Sequence, residues 1–301
     1  MSTALPVASV RRSARAWVEL TKPRIALLVV MTGVPALLLA AGGLPSARVF
    51  FGTLAGTVLA AMSAACFNMY YDRDIDALMR RTAARPLPAG LLPPSAAIAL
   101  GTALGFASLV TLLACTNVLA AGIALASIVY YAVIYTVWLK RVTPQNIVIG
   151  GGAGASAPLI AWAAVTGGVG LSAVLLAGIV FLWTPPHFWA LALYRREDYA
   201  RARIPMLPVT HGEPETRRQI LLYTLVLVPV TLALWPLGFV GPIYGIPAAL
   251  LGAWFVRGAW TLYRSGSHAD ARRLFLFSIL YLFALYVLLT ADAVVRYLLR
   301  L

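Results

Sequence analysis

Nine stretches of uncharged, mostly apolar sequence run through this 301-residue chain, each bounded by charged residues, Gly or Pro. A helix that crosses the roughly 30 Å hydrocarbon core of a bilayer needs about 20 such residues. Because nine segments approach that length, we predict an all-α, polytopic membrane protein with nine transmembrane helices. The predicted spans are approximately 25–41, 49–70, 95–115, 118–139, 146–165, 171–193, 220–236, 243–262 and 274–295.

The composition supports a membrane protein and argues against other classes. Hydrophobic residues make up 61% of the chain and charged residues 11%, whereas about 25% of the residues in soluble domains are charged. The net charge is +14, but the basic residues lie in short clusters between apolar runs rather than on one basic face. This distribution argues against a nucleic-acid partner. Cys66 and Cys115 lack metal-ligand spacing, so neither a disulfide nor a zinc site is expected.

The distribution of Lys and Arg predicts the orientation, since cytoplasmic connections retain positive charge. The N-terminal segment and alternate connections together hold 21 of the 24 basic residues. We therefore expect the basic N-terminal segment, 1–23, to be cytoplasmic and the C-terminus to lie outside. This segment has no separate apolar core with a cleavage site, so it is not expected to be a signal peptide.

Nine of the ten acidic residues fall on the same cytoplasmic side. Orientation does not explain them, because Asp and Glu contribute little to topology. The connections on that side are also long, especially 73–94 and 194–218, and long connections between packed helices are usually functional. We therefore expect the active face of the protein to be cytoplasmic.

Three oxygen-bearing side chains form a predicted stripe at the end of the second span. Asn68, Asp72 and Asp76 recur at i, i+4 and i+8, so a continuing helix places them on one face, while Asp74 points away. Such a stripe suits Mg²⁺, which takes one or two carboxylates, waters and substrate phosphate oxygens. The alternative is an acidic patch balanced by nearby arginines. Repulsion between like charges one turn apart favours the metal site.

A second acidic segment follows the sixth span and suggests an internal duplication. Tyr194 and Asp198 are again four residues apart, and an Arg-rich stretch and a Leu-Pro pair follow, as they follow the first stripe. Two such segments facing one cavity would supply metal ligands from both sides. Lys140 and Arg141, and the loop residues Arg80, Arg81 and Arg85, are candidates to bind the negative charge of a diphosphate.

Two further features lie inside predicted spans. His187 follows two adjacent prolines in apolar sequence, and it could bond a neighbouring helix, accept a proton or ligate haem iron. The glycine-rich run 150–154 lacks the strand and the Gly-Lys-Ser/Thr ending of a phosphate loop. We expect it to pack helices closely through small residues.

Four separated blocks of sequence carry a resemblance to a known family. They are Leu20-Thr-Lys-Pro-Arg24, the acidic stripe with its continuation to Thr82, Leu139-Lys-Arg-x-Thr-Pro-Gln-Asn-Ile-Val-Ile-Gly150, and the segment from Pro185-Pro-His-Phe-Trp189 through Asp198-Tyr199 to Ile204-Pro-Met-Leu-Pro208. With the nine-helix layout, these blocks resemble the UbiA superfamily of intramembrane prenyltransferases. Within it they resemble the protohaem IX farnesyltransferases, or haem O synthases.

The resemblance implies a single transmembrane prenyltransferase domain over 1–301, in the bacterial inner membrane. Its implied reaction transfers a farnesyl group from farnesyl diphosphate to a vinyl group of haem b, with addition of water, giving haem O for terminal oxidase assembly. Association with haem A synthase or with oxidase assembly is implied too. The implied residues are Asn68, Asp72, Asp76 and Asp198 for Mg²⁺, Lys140 and Arg141 for the diphosphate, and His187 and Tyr194 for haem.

Three other functions remain open. The first is the same chemistry on a different acceptor, such as an aromatic quinone precursor or a chlorophyllide. The second is a transporter, whose site would lie near the bilayer midplane in broken helices, and acidic groups at one face disfavour it. The third is a structural subunit of an oxidase, which would leave the acidic stripe without a purpose.

Overall fold

A computed structural model of the chain describes residues 7–299, except for the side chains of residues 7–13, 25 and 26. Residues 1–6 of the predicted basic segment lie outside the described residues. All regular elements of the described part are helical. They are α1 (Val7–Leu20), α2 (Pro23–Ala41), α3 (Ala47–Tyr71), α4 (Arg73–Leu78), α5 (Pro94–Cys115), α6 (Val118–Val129) with a π-helix (Tyr130–Leu139), α7 (Asn146–Gly154), α8 (Ser156–Thr166), α9 (Leu171–Tyr194), α10 (Arg196–Arg201), α11 (Leu207–Thr210), α12 (Gly212–Ala233), α13 (Pro242–Ser265) and α14 (His268–Leu299).

Six helical segments of the described residues are long and apolar enough to cross a membrane. They are α3, α5, α6 with its π-helix, α7 with α8, α9 and α14. Among the described side chains the apolar part of α2 is Leu27–Ala41, α12 begins with a charged turn, and α13 carries Arg257 and Arg264. The helical, multi-pass architecture is confirmed, but the number of nine spans is not.

Two irregular stretches interrupt the helices. After α6 the chain continues as a π-helix, which closes with a bond from Lys140 N to Tyr135 O at 2.9 Å. Such i→i+5 turns are frequent at functional sites. The fifth predicted span breaks at Ala155, because Pro158 has no N–H and its ring opposes the carbonyl four residues earlier.

Helices α3 and α5 approach each other closely because glycines of α3 face the partner. A Cβ on Gly52 would lie 2.2 Å from Cys115 Cβ, and one on Gly56 would lie 2.5 Å from Leu112 Cγ. Ser108 Oγ donates a hydrogen bond to Gly56 O at 2.7 Å across the same contact. Small residues allow this packing between membrane helices. The helix that carries Asn68 is therefore firmly held.

The glycine-rich run packs helices, as predicted from sequence. A Cβ on Gly150 would lie 2.4 Å from Tyr135 Cδ2, and one on Gly151 would lie 3.1 Å from Thr184 Cβ. Helix α7 therefore lies directly against both the π-helix and α9. This contact supports the irregular stretch that ends at Lys140.

Asp292, the acidic residue outside the predicted cytoplasmic cluster, is completely buried near the end of α14. Its carboxylate accepts hydrogen bonds from the backbone N–H groups of Gly241 at 2.8 Å and Tyr244 at 3.3 Å. These groups lie at the start of α13, where N–H groups lack partners within the helix and favour a negative charge. Asp292 therefore joins the end of α14 to the start of α13.

We expect Asp292→Ala to destabilise the protein, because it leaves buried N–H groups unpaired at a cost of about 1–3 kcal/mol each. The measurement is the thermal unfolding midpoint in detergent. Thr290→Ala is the control, since the Thr290 hydroxyl bonds only to its own helix, at Tyr286 O. Equal midpoints for the two variants would contradict the structural role of the carboxylate.

Candidate active site

The acidic stripe forms across the junction of α3 and α4, as predicted. Backbone bonds from Asp72 N to Asn68 O at 2.9 Å and from Asp76 N to Asp72 O at 2.8 Å preserve the helical spacing. Asn68, Asp72 and Asp76 are 2%, 0% and 2% exposed, whereas the Asp74 side chain is 59% exposed. Three oxygen-bearing side chains thus share one buried face.

Each member of the stripe is paired with a cation from a different part of the chain. The pairs are Lys140 with Asp72, Arg85 with Asp76 at 2.5 Å, and Lys22 with Asn68 at 2.5 Å. A buried carboxylate that loses its partner destabilises a protein by several kcal/mol, typically about 3–5. The three cations therefore stabilise the stripe.

Local backbone structure places two of these cations. Lys140 directly follows the π-helix, and Lys22 joins α1 to α2 with a φ of 49°, a conformation uncommon outside glycine. Burial, with the neighbouring positive charges of Arg85 and Lys140, lowers the pKa of Lys22 to about 7. An anion bound among these cations would relieve their repulsion.

One oxygen of the stripe is buried without a partner. Asp72 Oδ2 accepts bonds from Lys140 and from Asn68 Nδ2, whereas Asp72 Oδ1 has no hydrogen bond within the described residues. Among all the described residues, no group of three His, Cys, Asp or Glu side chains lies close enough together to hold a metal ion by itself. The stripe supplies two carboxylates and an amide, a donor set that fits Mg²⁺ with waters completing its shell.

Arg141 is held away from the stripe. Its guanidinium donates two hydrogen bonds of 2.7 Å to the exposed carboxylate of Asp74, and it stacks 4.7 Å over the ring of Tyr71. This hydrogen-bonded ion pair lowers the pKa of Asp74 and raises that of Arg141. The sequence predicted the same diphosphate-binding role for Lys140 and Arg141, but only Lys140 reaches the stripe in the structure.

The second acidic segment lines a pocket of about 380 Å³, to which Arg80 of the loop after the stripe also contributes. Asp198 is buried there and pairs with Arg201 of the same helix. Tyr194 lines the pocket too and packs edge-on against Phe275, with 6.0 Å between ring centroids. Among the described residues no hydrogen bond or ion pair joins Asp198 to Asn68, Asp72 or Asp76.

His187 is buried between two aromatic rings, with ring centroids 4.3 Å from Trp183 and 4.7 Å from Phe275. Its Nδ1 lies 2.7 Å from Ser278 Oγ, which donates its single proton to Phe275 O at 2.6 Å. Ser278 Oγ must therefore accept a hydrogen bond from Nδ1–H, which leaves a lone pair on Nε2. Nε2 has no hydrogen-bond partner within the described residues.

An apolar groove begins one helical turn from the stripe, towards the membrane interior. Helices α2, α3, α6, α7 and α8 enclose it, and alanines of α3 at 60, 61, 64 and 65 line it. Five hydroxyl side chains also line it, one of which is the phenol of Tyr131 on the π-helix. The other four each donate to a carbonyl of their own helical segment within 3.0 Å, and they are Thr32, Thr57, Ser127 and Ser156. The groove therefore presents mainly hydrocarbon.

A sequence model of the UbiA prenyltransferase family matches residues 27–285. The chain belongs to the UbiA prenyltransferase family. The protohaem IX farnesyltransferase of Gloeobacter violaceus is 52% identical over 277 residues, which cover 92% of this chain and 91% of the relative. The protohaem IX farnesyltransferase of Ectopseudomonas mendocina is 50% identical over 293 residues, which cover 97% of this chain and 98% of the relative. The resemblance seen in the sequence blocks is confirmed.

Solved UbiA-type structures share the fold. A digeranylgeranylglyceryl phosphate synthase matches with a TM-score of 0.79 at 17% identity, covering 94% of this chain and 99% of the other. A UbiA homologue from Archaeoglobus fulgidus bound to DMAPP and Mg²⁺ matches with a TM-score of 0.64 at 15% identity, covering 91% of this chain and 99% of the other. The all-α UbiA fold is therefore confirmed.

Lys22 is the residue at this UbiA-type site that sequence reasoning missed. It stands in the block Leu20-Thr-Lys-Pro-Arg24, which served only to recognise the family. Its position before the first span suggested a positive-inside anchor, and its contact is with a residue 46 positions away. The sequence signal that could have identified Lys22 is its position immediately before Pro23, the proline that begins α2.

We expect Lys140→Met to weaken binding of inorganic diphosphate with Mg²⁺ at least about tenfold, because it removes a charge-assisted donor from the stripe. Arg141→Met, which removes the same charge from the neighbouring position, should change the affinity less than about threefold, as expected for an exposed ion pair. Calorimetry on the purified protein measures both. A larger loss for Arg141→Met would contradict this assignment of the two cations.

Proposed function

We propose that this chain transfers a farnesyl group from farnesyl diphosphate to a vinyl group of haem b, with addition of water, to give haem O. The observation that carries the proposal is the near full-length similarity to protohaem IX farnesyltransferases. The geometry supports it, because a buried oxygen stripe with three cations lies beside an apolar groove. One end of the site suits a diphosphate and the other a hydrocarbon chain.

The diphosphate end of the site is assigned to the stripe and its cations. We assign Mg²⁺ to Asn68, Asp72 and Asp76, with Asp198 as the ligand from the second segment. When bound, Mg²⁺ supplies positive charge that stabilises the departing diphosphate. Lys140 donates to the same anion from the end of the π-helix. Lys22 and Arg85, which already lie at the stripe, add two further donors, and Arg141 remains an outer candidate.

The reaction begins when the bond between farnesyl C1 and oxygen breaks and its electron pair leaves with the diphosphate. The vinyl π-electrons of haem b then form a bond to C1, which leaves a positive charge on the vinyl carbon next to the porphyrin ring. Water adds to that carbon and loses one proton, which gives the hydroxyethylfarnesyl group. Preorganised cations around the leaving group lower the barrier to the first step.

The groove protects the allylic cation from reacting too early. Its aliphatic hydroxyls donate their protons to carbonyls of their own helical segments, so these donors are not available to hold water in the groove. Exclusion of water from such a site prevents side reactions of a reactive intermediate. The farnesyl chain is assigned to this groove.

Haem b is assigned to the side of the site that contains His187 and Tyr194. His187 Nε2 carries a free lone pair, and neutral imidazole is a common axial ligand of haem iron. Phe275 touches both rings and gives a flat apolar surface next to them. We propose that His187 binds the iron and that Tyr194 contacts the porphyrin edge.

We further propose one prenyltransferase domain over 1–301 in a bacterial inner membrane, with the N-terminus and the active face cytoplasmic. The positive charge of the cytoplasmic connections supports this orientation. The product would pass to haem A synthase or to terminal oxidase assembly, with which the protein would associate.

The direct test incubates membranes containing the protein with haem b, farnesyl diphosphate and Mg²⁺. Mass spectrometry should detect the hydroxyethylfarnesyl adduct of haem b. Parallel reactions contain an aromatic quinone precursor in place of haem b. Formation of a prenylated aromatic acid, with no haem O detected, would show that the acceptor is the quinone precursor and not haem b.

We expect Asp72→Asn to lower turnover at least about a hundredfold, the range seen when a preorganised electrostatic group is removed. Asp74→Asn is the matched control on the same turn, since Asp74 is exposed and outside the stripe. It should retain activity within about threefold. Mg²⁺-dependent activity of parental size in Asp72→Asn would remove that residue from the site.

We expect His187→Ala to weaken haem b binding at least about tenfold and to alter the Soret band, because a coordinating nitrogen is lost. Diphosphate binding measured by calorimetry should be unchanged in the same variant. Ser278→Ala is the companion variant, as it removes only the partner of Nδ1. An unaltered Soret band in His187→Ala would exclude iron ligation by this residue.

A further inference from the structure

The apolar groove has a defined depth along α3. Its lining on that helix runs from Ala65 and Ala64, next to the stripe, to Thr57 at the far end. Thr57 is eleven residues before Asn68, and a helix rises 1.5 Å per residue, so the far end lies about 16 Å from the stripe. Thr32 of α2 lies ten residues from Lys22 and lines the groove at a similar level.

The far end of the groove meets buried residues on four of its helices. One turn beyond the deepest lining residues of α2, α3, α6 and α8, each of these helices carries a side chain that is at most 1% exposed. These residues are Ala36 of α2, Thr53 of α3, Ala124 of α6 and Ile160 of α8. Protein interiors are packed without large voids, so this layer leaves no passage for a longer chain.

The distance from the stripe to the far end of the groove matches one particular chain length. An extended isoprene unit contains four C–C bonds of about 1.5 Å along the chain and spans about 5 Å. Three units therefore need about 15 Å, and four need about 20 Å. The distance of about 16 Å from the stripe to Thr57 accommodates three units and excludes a fourth.

We infer that this groove measures the prenyl chain, with Thr57 and Thr32 as its end and Ala61 at the level of the third isoprene unit. The inference rests on the proposed function and deepens it, because it assigns the preference for a fifteen-carbon chain to named residues. Ala61 is one turn closer to the stripe than Thr57, about 6 Å and therefore about one isoprene unit. A larger side chain at that position removes the space for the last unit.

The test compares Ala61→Leu and Thr57→Leu with the parent protein, using diphosphates of ten, fifteen and twenty carbons with haem b. Ala55→Leu is the matched control, since Ala55 is exposed on the same helix and does not line the groove. For each protein, kcat/KM is measured with all three chains. The parent should prefer fifteen carbons over twenty at least about tenfold, the discrimination that a closed apolar pocket gives.

In Ala61→Leu the ratio of kcat/KM for fifteen over ten carbons should fall at least about tenfold, while Ala55→Leu keeps the parental ratio. Thr57→Leu should lower the same ratio by a smaller factor, as it fills only the end of the groove. Unchanged ratios in both groove variants, or equal use of fifteen and twenty carbons by the parent, would overturn the inference. Retained activity with ten carbons shows that Ala61→Leu is folded.

A separate measurement distinguishes failure of this inference from failure of the proposed function. Haem O formed by the parent tests the function, whereas calorimetric affinities for the three prenyl diphosphates with Mg²⁺ test the groove without any acceptor. If Ala61→Leu is inactive with every chain, its binding preference should still move from fifteen towards ten carbons. Parental binding preferences in that variant would overturn the inference even if haem O is made.

Discussion

The ion pair between Lys140 and Asp72 is the interaction on which the rest of the site depends. Asp72 is fully buried at the point where α3 gives way to α4, and a carboxylate in that position requires a partner. The lysine reaches it because the π-helix after α6 ends at Leu139, and Gly150 allows α7 to pack directly on that stretch. The buried charge of Asp72 is thus held by an irregular helix that close glycine packing supports.

Small residues have two roles in the same half of the molecule. Where Gly52 and Gly56 face α5, they remove volume and bring helices into contact. Where alanines of α3 face α2 and α8, the small side chains instead leave space, and the groove forms one turn from the stripe. Because α3 carries both sets, its packing on α5 fixes the direction of the groove relative to Asp72. The stripe and the groove are therefore aligned by a single helix.

Much of this architecture could be predicted from the sequence, because it depends on local periodicity. The spacing of Asn68, Asp72 and Asp76 predicted one stripe with Asp74 pointing away from it, and the structure shows both. Contacts between distant segments could not be predicted in this way. Lys140 and Arg141 are adjacent in sequence, but they bind Asp72 and Asp74 respectively. Their separation depends on the geometry with which the π-helix ends, and apolar periodicity carries no signal of it.

The cation pairs also explain why acidic and basic residues cluster together on one face. A stripe of two buried carboxylates is held by Lys22, Arg85 and Lys140, so positive charge exceeds negative charge at this point before any ligand binds. Binding of Mg²⁺ alone would increase that excess, and binding of a diphosphate alone would bring more negative charge next to the carboxylates. The positive charge of the metal and the negative charge of the diphosphate nearly cancel when both are bound. The electrostatics of the site therefore favour their joint binding over the binding of either one alone.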